Sequence, residues 1–309
     1  MSINWFPGHM HKATREMRKL LPDIDIVIEV LDARIPYSSQ NPVIGQIGRD
    51  KLNIKLLNKS DLADPAVTEQ WLDYFNGINN TGAMAISCLK ADKIPAIAAL
   101  CRKLARRNSD SLQPITALIA GIPNVGKSTL INLLAGRAIA KTGNEPAVTR
   151  AQQRIRIADD LVLFDSPGIL WPRFDNQNSA CRLAATGAIK DTAISYDDIA
   201  FFTAEYLLHA YPDALQQRYQ LAQLPASELE LLEMIGRRRG CLASGGRVDL
   251  EKTGRLLLME MRSGQLGAIS LETPSLMHRE LQQVSEQLAQ KAAEKEARKA
   301  LRQQKARKR

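Results

Sequence analysis

Residues 121–128, with the sequence GIPNVGKS, combine the residue types that hold a phosphate chain. Glycines let backbone N–H groups curl around phosphate oxygens, the Lys127 ammonium can reach the β- and γ-phosphates, and the Ser128 hydroxyl can bind Mg²⁺. The apolar run 115–120 predicts a strand before this stretch, and residues 129–135 predict a helix whose N-terminus adds a favourable dipole. We interpret the stretch as a phosphate-binding loop, with contacts expected from Asn124, Val125, Gly126, Lys127, Ser128 and Thr129.

A second motif, NKSD at residues 58–61, follows directly after the apolar run 54–57. The Asp61 carboxylate can accept hydrogen bonds from both N1–H and the 2-amino group of guanine, whereas adenine offers neither donor at that edge. Such bidentate, charge-assisted pairing is strong and selective. Asn58, Lys59 and Asp61 are therefore predicted to select a guanine base.

A third motif, DSPG at residues 165–168, follows the alternating segment 161–164. Asp165 is expected to hold Mg²⁺ through water, and the Gly168 amide is expected to sense the γ-phosphate. All three motifs lie at the carboxyl ends of predicted strands, where open α/β sheets bind their ligands. Together they predict a site for GTP or GDP with Mg²⁺.

The order of these motifs is unusual, because in ordinary GTPases the phosphate loop comes first and the guanine-specifying motif last. Here the motif at 58–61 precedes the phosphate loop, and residues 5–10 read WFPGHM. In these features, over nearly its whole length, the chain resembles the circularly permuted GTPases. The resemblance implies an α/β fold. A permuted, Ras-like phosphate-loop GTPase domain with a mostly parallel sheet would occupy residues 1–175, a small all-α domain 176–285, and a basic helical or disordered tail 286–309.

The same resemblance implies an activity and partners, because members of this family assist ribosome assembly. It implies a GTP-hydrolysing switch that binds the large ribosomal subunit and its rRNA, and no DNA partner is expected. Lys127 and Gly168 would take part in hydrolysis. Thr149 matches the threonine of the family's PGVT pattern and would bind Mg²⁺ beside Ser128 and Asp165, with Thr142 as the competing threonine.

Further site residues are implied by shorter matches to the family. Ser87 and Cys88 correspond to the loop whose backbone N–H groups contact the guanine carbonyl, although Cys88 replaces the usual alanine. Asn124 corresponds to an asparagine of potassium-stimulated relatives, which implies K⁺ as an activator. His9 would be presented to the nucleotide as a catalytic group. The alternative for this segment is structural, with Trp5 and Phe6 holding the following helix against the core.

Composition bounds the remaining possibilities. The chain has 309 residues and a formal net charge of +9, which favours a polyanionic partner. Its four cysteines show no paired metal spacing and are interpreted as free thiols in a reducing cytoplasm. No apolar run reaches the length of a membrane-spanning helix, and the N-terminus lacks the apolar core of a signal peptide, so a cytoplasmic protein is expected.

Basic residues concentrate near the C-terminus. Beyond residue 178 the apolar spacing is helical, and one predicted helix ends in the cluster Arg237, Arg238 and Arg239. The tail 291–309 is strongly basic. Either region could be an ordinary solvated surface, or it could bind RNA with a salt-dependent affinity.

Two rival functions share part of this pattern. A phosphate-loop kinase or ATPase would use residues 121–128 but would have no need of residues 58–61. An RNA-binding module with a regulatory, scarcely hydrolysing nucleotide pocket is the second rival. It draws support from Ile169, which stands directly after the third motif, where many GTPases have the glutamine that orients water. Slow intrinsic turnover is therefore predicted.

Overall fold

A six-stranded sheet forms the centre of the protein. A computed structural model of the chain describes residues 9–91, 93–106, 113–139, 153–171, 174–189 and 195–307, with side chains from residue 14 to residue 298. The strands are β1 (Ile26–Asp32), β2 (Leu52–Asn58), β3 (Thr81–Ala85), β4 (Ile115–Gly121), β5 (Gln153–Ala158) and β6 (Leu161–Asp165). Their order is β3-β2-β1-β4-β6-β5, and every neighbouring pair is parallel except β5 with β6. The predicted mostly parallel sheet is confirmed.

The inner strands are apolar on both faces because helices cover both sides of a parallel sheet. Every residue of β1 is buried. The helices of this part of the chain are α1 (His9–Leu20), α2 (Pro42–Ile47), α3 (Pro65–Asn76), α4 (Ile94–Ala105) and α5 (Lys127–Ala135).

The strand register brings the sequence motifs to one edge of the sheet. Asp32 at the end of β1 pairs with Asn58 at the end of β2, and Val30 pairs with Gly121 at the end of β4. On the other side of β4, Ile119 pairs with Asp165 at the end of β6. The NKSD motif at residues 58–61, called the guanine motif below, therefore lies at the same edge of the sheet as the phosphate loop and the DSPG motif, despite the permuted order.

The chain after the sheet is helical. Its helices are α6 (Gln177–Ala185), α7 (Tyr196–Ala210), α8 (Pro212–Tyr219), α9 (Glu228–Arg239), α10 (Leu250–Arg262) and α11 (Pro274–Arg307). Helix α7 packs against α6, α8, α9 and α10. Gly254 of α10 permits a close approach, because a Cβ atom there would lie 2.7 Å from the Cβ of Ala200 in α7. An α/β domain followed by helices is thus confirmed.

Helix α6 is bounded at both ends by local signals. The Asn176 side chain accepts hydrogen bonds from the amides of Asn178 and Ser179 and so caps the helix at its N-terminus. At the other end Gly187 takes a φ of 83°, which stops the helix before Ile189. The cap and the glycine, rather than the apolar residues, set the limits of the helix.

The segment from Ile269 to Glu272 connects the helical region to the loops after β1 and β2. The Ile269 amide donates to the Leu62 carbonyl at 2.9 Å, and the Leu271 amide donates to the Arg34 carbonyl at 2.8 Å. One continuous hydrophobic cluster includes residues of the sheet and of α6, α7, α9 and α10. The domain boundary at residue 175 stays a prediction.

Helix α11 continues unbroken from Pro274 to Arg307. Met277 and Glu280 in its first turns are buried, whereas nearly all its described side chains beyond Glu280 are exposed. Within the described residues, no helix is both long enough and apolar enough to cross a membrane.

Candidate functional site

The phosphate loop is shaped by two residues with positive φ, Asn124 at 59° and Gly126 at 93°. Gly126 also has no room for a side chain, because a Cβ atom there would lie 2.3 Å from the side-chain nitrogen Nδ2 of Asn58. Helix α5 starts directly after it, and no side chain caps its N-terminus. The first backbone N–H groups of a helix point away from it, so this end can bind an anion.

Lys127 and Asp165 form a buried ion pair at the centre of the site. Their side chains are 5% and 0% exposed, and Asp165 Oδ2 has no hydrogen-bond partner among the described residues. Burial raises the pKa of Asp165 and lowers the pKa of Lys127, and each partner's charge opposes that shift. A buried carboxylate with an unused oxygen, near the half-buried Ser128, offers the hard oxygen ligands that Mg²⁺ prefers. These residues fit a phosphate chain with its Mg²⁺.

Asn58 joins the guanine motif to the phosphate loop. Its side-chain nitrogen donates to the Val125 carbonyl at 2.7 Å, and its side-chain oxygen accepts from the Cys88 amide at 3.2 Å. The Cys88 amide, predicted to contact guanine, is therefore hydrogen-bonded to Asn58. Burial raises the pKa of the Cys88 thiol to about 11. Ser87 is buried beside it and accepts from the Leu89 amide at 3.3 Å.

Lys59 and Asp61 stand on a strained turn after β2. Lys59 has a φ of 61°, a left-handed conformation that costs a residue with a Cβ atom about 1–2 kcal/mol. Its ammonium donates to Asp32 Oδ2 at 2.9 Å. The Asp61 side chain is partly exposed at the same edge of the sheet. The predicted base-contacting carboxylate is thus accessible to a ligand.

Asp32 and Arg34 belong to this site although their role could not be predicted. Arg34 donates to the two Asp32 oxygens at 2.9 and 2.7 Å. Burial alone would raise the pKa of Asp32, but the Arg34 and Lys59 charges lower it well below its usual range. The only local signal was a charge pair, Asp-Ala-Arg, directly after a buried strand.

The DSPG motif lies against the phosphate loop. A Cβ atom on Gly168 would lie 3.3 Å from the backbone of Pro123, and the Ile169 amide donates to the Gly121 carbonyl at 3.2 Å. The Asn41 side chain donates to the Ile169 carbonyl at 2.9 Å. The Ile169 side chain itself is 1% exposed and packs in the hydrophobic core. It therefore offers nothing that could orient a water molecule.

Asn124 connects the phosphate loop to the helical region. Its side-chain nitrogen donates to the Gly187 carbonyl at 2.8 Å. The side-chain oxygen is then the atom that remains for another ligand, and its predicted K⁺ contact stays a prediction. This hydrogen bond across 63 positions had no sequence signal.

Comparison with known proteins identifies the family. A family model described as "50S ribosome-binding GTPase" matches residues 116–227. The chain is 47% identical to Ribosome biogenesis GTPase A of Priestia megaterium, over 89% of this chain and 98% of that protein. It is 44% identical to Ribosome biogenesis GTPase A of Bacillus cereus, over 93% and 99% of the two chains. The chain belongs to the ribosome biogenesis GTPase A family.

Solved structures of this family have the same fold. A GDP-bound structure of TM YlqF is 26% identical and covers 84% of this chain and 100% of its own, with a TM-score of 0.62. A crystal structure of GNP-bound YlqF from T. maritima, also 26% identical, covers 85% and 98%, with a TM-score of 0.60.

Some residues predicted from the family pattern lie outside the described part of the structure. Thr149 and Thr142 are among them, and so are residues 172–173, which connect the DSPG motif to the helices. The backbone of His9 begins α1, but its side chain is not described. Their roles in this ribosome biogenesis GTPase A family member stay predictions.

The predicted cluster of three arginines divides into two parts. Arg237 and Arg238 are exposed at the end of α9, and Arg237 pairs with Glu233 of the preceding turn at 3.1 Å. Arg239 instead lies 3.5 Å from the nearly buried Glu260 carboxylate and 5.6 Å from the centre of the Tyr219 ring. All three side chains are exposed, and ion pairs with Glu233 and Glu260 hold Arg237 and Arg239 at the protein surface.

Proposed function

We propose that the protein is a cytoplasmic GTP-hydrolysing switch that binds the large ribosomal subunit and assists its late assembly. The observation that carries this proposal is the position of Asn58, hydrogen-bonded to the phosphate loop and to the Cys88 amide. That contact links two motifs that stand in permuted order in the chain. The family's names supply the ribosomal partner.

Binding uses the two ends of this pocket. Asp61 accepts from the guanine edge, while Lys127 and the backbone amides of residues 124–129 hold the phosphates. Lys127 exchanges its contact with Asp165 for one with the phosphates. Ser128, Asp165 and Thr149 would hold Mg²⁺, which neutralises part of the charge on the transferred phosphoryl group when it is bound.

Hydrolysis needs a water molecule to be oriented, and Ile169 cannot do this because its side chain is apolar and lies in the core. His9 is the proposed substitute, since a neutral imidazole can orient or deprotonate water. The intrinsic rate is accordingly slow, and the ribosomal subunit stimulates it. K⁺ bound near Asn124 would add positive charge where negative charge develops.

A competition assay tests the guanine specificity. GDP and GTP should displace a fluorescent GDP analogue, and ATP should not at a similar concentration. Displacement by ATP as effective as by GTP would favour the kinase or ATPase rival and reject the assignment of residues 58–61.

A second assay tests the partner. The protein should co-sediment with the large subunit better in a non-hydrolysable GTP analogue than in GDP, and the subunit should accelerate GTP hydrolysis. An RNA-binding module with a regulatory pocket, which the buried Ile169 favours, would bind the subunit without any acceleration.

A further inference from the structure

Two acidic and two basic side chains lie on or beside the turn that carries the guanine motif. Asp32 ends β1 and Arg34 follows it, whereas Lys59 and Asp61 follow β2. The Asp32 and Arg34 side chains are 3% and 2% exposed, so their charges are shielded from water. The nucleotide contacts proposed above use Lys59 and Asp61 but leave this buried pair without a function.

We propose that Asp32 and Arg34 are positioning residues for guanine recognition. Asp32 holds the Lys59 ammonium and thereby fixes the turn that presents Asp61 to the base. The inference rests on the proposed guanine specificity of residues 58–61 and names what keeps them in place.

The turn needs such support because of its backbone. Lys59 has a φ of 61°, which residues with a Cβ atom rarely adopt. The Ser60 amide donates to the Ile86 carbonyl at 3.1 Å and the Leu62 amide to the Lys59 carbonyl at 2.9 Å, so the chain folds tightly here. The ion pair between Lys59 and Asp32 fixes the one long side chain on this turn.

Arg34 holds the Asp32 carboxylate in a fixed orientation. The Arg34 guanidinium donates two hydrogen bonds to the Asp32 carboxylate, and the Arg34 backbone amide donates a third at 3.1 Å. Its remaining nitrogen, Nη1, is buried and has no hydrogen-bond partner among the described residues. The Asp61 charge also acts on this guanidinium. Arg34 therefore orients Asp32 by contact and attracts Asp61 through space.

The support is made entirely by residues of the protein. The Arg34 carbonyl accepts from the Leu271 amide at 2.8 Å, which fixes the loop after β1 to the C-terminal segment. A turn that is already held in place loses less conformational freedom on binding, and this increases affinity. Loss of Asp32 should therefore weaken binding of the base and leave the phosphate contacts unchanged.

A matched ion pair on the same two strands provides the control. Glu29 of β1 and Lys55 of β2 are register partners, and their charged atoms are 2.5 Å apart in a buried position. This pair lies three residues before Asp32 and Asn58, further from the guanine edge. In Glu29→Gln the glutamine keeps an oxygen for the Asn41 amide, which donates to Glu29 Oε1 at 2.7 Å.

The test measures the ratio of ADP to GDP concentrations that displace half of a bound fluorescent GDP. Asp32→Asn should lower this ratio about tenfold, which corresponds to about 1.4 kcal/mol of base selectivity. Glu29→Gln should keep the wild-type ratio. An equal fall in both variants would overturn the inference, because it would show a general effect of buried charge.

A double-mutant cycle tests whether Asp32 acts through Lys59. The double variant Asp32→Asn, Lys59→Met should have the same ADP to GDP ratio as Lys59→Met alone. A double variant whose loss equals the product of the two single losses would overturn the proposal. If Asp32→Asn does not fold, Arg34→Lys takes its place and should lower the ratio. An unchanged ratio would then overturn the proposal. A wild-type protein without preference for GDP would instead reject the proposed function itself.

Discussion

At the scale of single residues, Asn58 shows how one amide side chain can hold two loops. The side chain donates a hydrogen bond to a carbonyl of the phosphate loop and accepts one from an amide of the loop after β3. Asn58 is 2% exposed, so both hydrogen bonds are buried. Asn58→Ala leaves both groups without this partner, at a cost of about 1–3 kcal/mol for each unsatisfied buried group. We therefore expect GDP affinity, measured by calorimetry, to fall by about tenfold or more.

Asn53→Ala is the control for this substitution. Asn53 lies in the same strand, and its side chain donates to the carbonyls of Gly48 and Lys51 at 3.3 and 2.8 Å. Those contacts are remote from the motif-bearing edge of the sheet. Similar losses of GDP affinity in the two variants would show that Asn58 acts only through general stability.

His9 is the residue proposed to orient the attacking water. His9→Ala should lower subunit-stimulated GTP turnover by about tenfold or more, a typical contribution of general acid–base catalysis being about 10²–10⁴-fold. GTP affinity should stay near the wild-type value, because the base and phosphate contacts are untouched. Turnover that matches wild type would assign His9 to structure.

Asn124 is expected to confer a preference for potassium. The side-chain nitrogen is held by Gly187, which fixes the direction of the oxygen that would bind the cation. Hydrolysis should be faster in K⁺ than in Na⁺ at equal ionic strength, and Asn124→Ala should remove the difference. Equal rates of the wild-type protein in both salts would reject the K⁺ site.

The residues found from the sequence and those missed differ in a physical way. Lys127, Asp61 and Asp165 belong to short motifs that follow apolar strands, so their neighbours along the chain mark them as candidates. Asp32 and Asn41 act on groups far along the chain, and no local pattern shows which group a buried side chain will meet. Only the strand register brings those groups together.

At the scale of elements, the sequence predicted the strand at 115–120 and the helix at 129–135, which are β4 and α5 in the structure. Helix α3 (Pro65–Asn76) also has clear local limits, because Asp64 caps its first amides and Gly77 follows its end. The contacts of the segment from Ile269 to Glu272 could not be predicted, because its partners, Leu62 and Arg34, lie far away along the chain.

The first turns of α11 are anchored by a buried ion pair. Arg182 of α6 donates to both Glu280 oxygens, at 2.9 and 2.5 Å. Burial alone would raise the pKa of Glu280, but Arg182 lowers it below the usual range. Glu280→Gln should reduce the free energy of unfolding by about 1–3 kcal/mol at pH 7, because the buried Arg182 then keeps only the more distant Glu272 carboxylate, at 3.4 Å.

The sign of the pKa shift also predicts a pH dependence. Because the folded protein holds the Glu280 proton less tightly than the unfolded chain, the carboxylate stabilises the fold above the unfolded pKa of about 4.3. That stability is lost as the pH falls through the lower, folded pKa. The difference between wild type and Glu280→Gln in urea unfolding should therefore shrink below about pH 4. Glu286→Gln, on the exposed part of α11, should show little difference at any pH.

At the scale of the whole molecule, the phosphate side of the proposed nucleotide pocket makes contacts with the helices. Ile169 and Leu170 follow the DSPG motif directly and are buried in the shared hydrophobic cluster, and Asn124 is bonded to Gly187. A shift of Gly168 towards a γ-phosphate would therefore move packed residues and so reach the exposed Arg237 and Arg238 surface.

This connection predicts that subunit affinity depends on the nucleotide. Couplings between sites are typically about 1–3 kcal/mol, so affinity for the large subunit should be about 5–150 times higher with a GTP analogue than with GDP. By linkage, the bound subunit must favour the GTP state by the same factor. Sedimentation or light scattering at fixed salt measures the difference, and equal affinities would reject the switch.

The contacts that transmit the nucleotide effect to the helices can be tested separately from the coupling itself. A flexible Gly/Ser insertion after Pro172 should abolish the difference if the residues after the DSPG motif transmit it. If the difference survives the insertion but disappears in Asn124→Ala, the contact with Gly187 is the route. A matched insertion in the exposed loop at Gly245 and Gly246 controls for lengthening of the chain.

The contact of Glu272 with the loop after β1 has a consequence for the order of folding. The amides of Tyr37 and Ser38 donate to Glu272 Oε1 across 235 and 234 positions of the chain. During synthesis all six strands emerge before Glu272 does, and domains fold from the N-terminus as the chain appears. A nascent chain can therefore assemble the whole sheet while these two amides still lack their acceptor. The loop after β1, which carries Arg34, would then be fixed last, and a chain that ends before residue 272 would carry a phosphate loop beside a β1 loop without this acceptor.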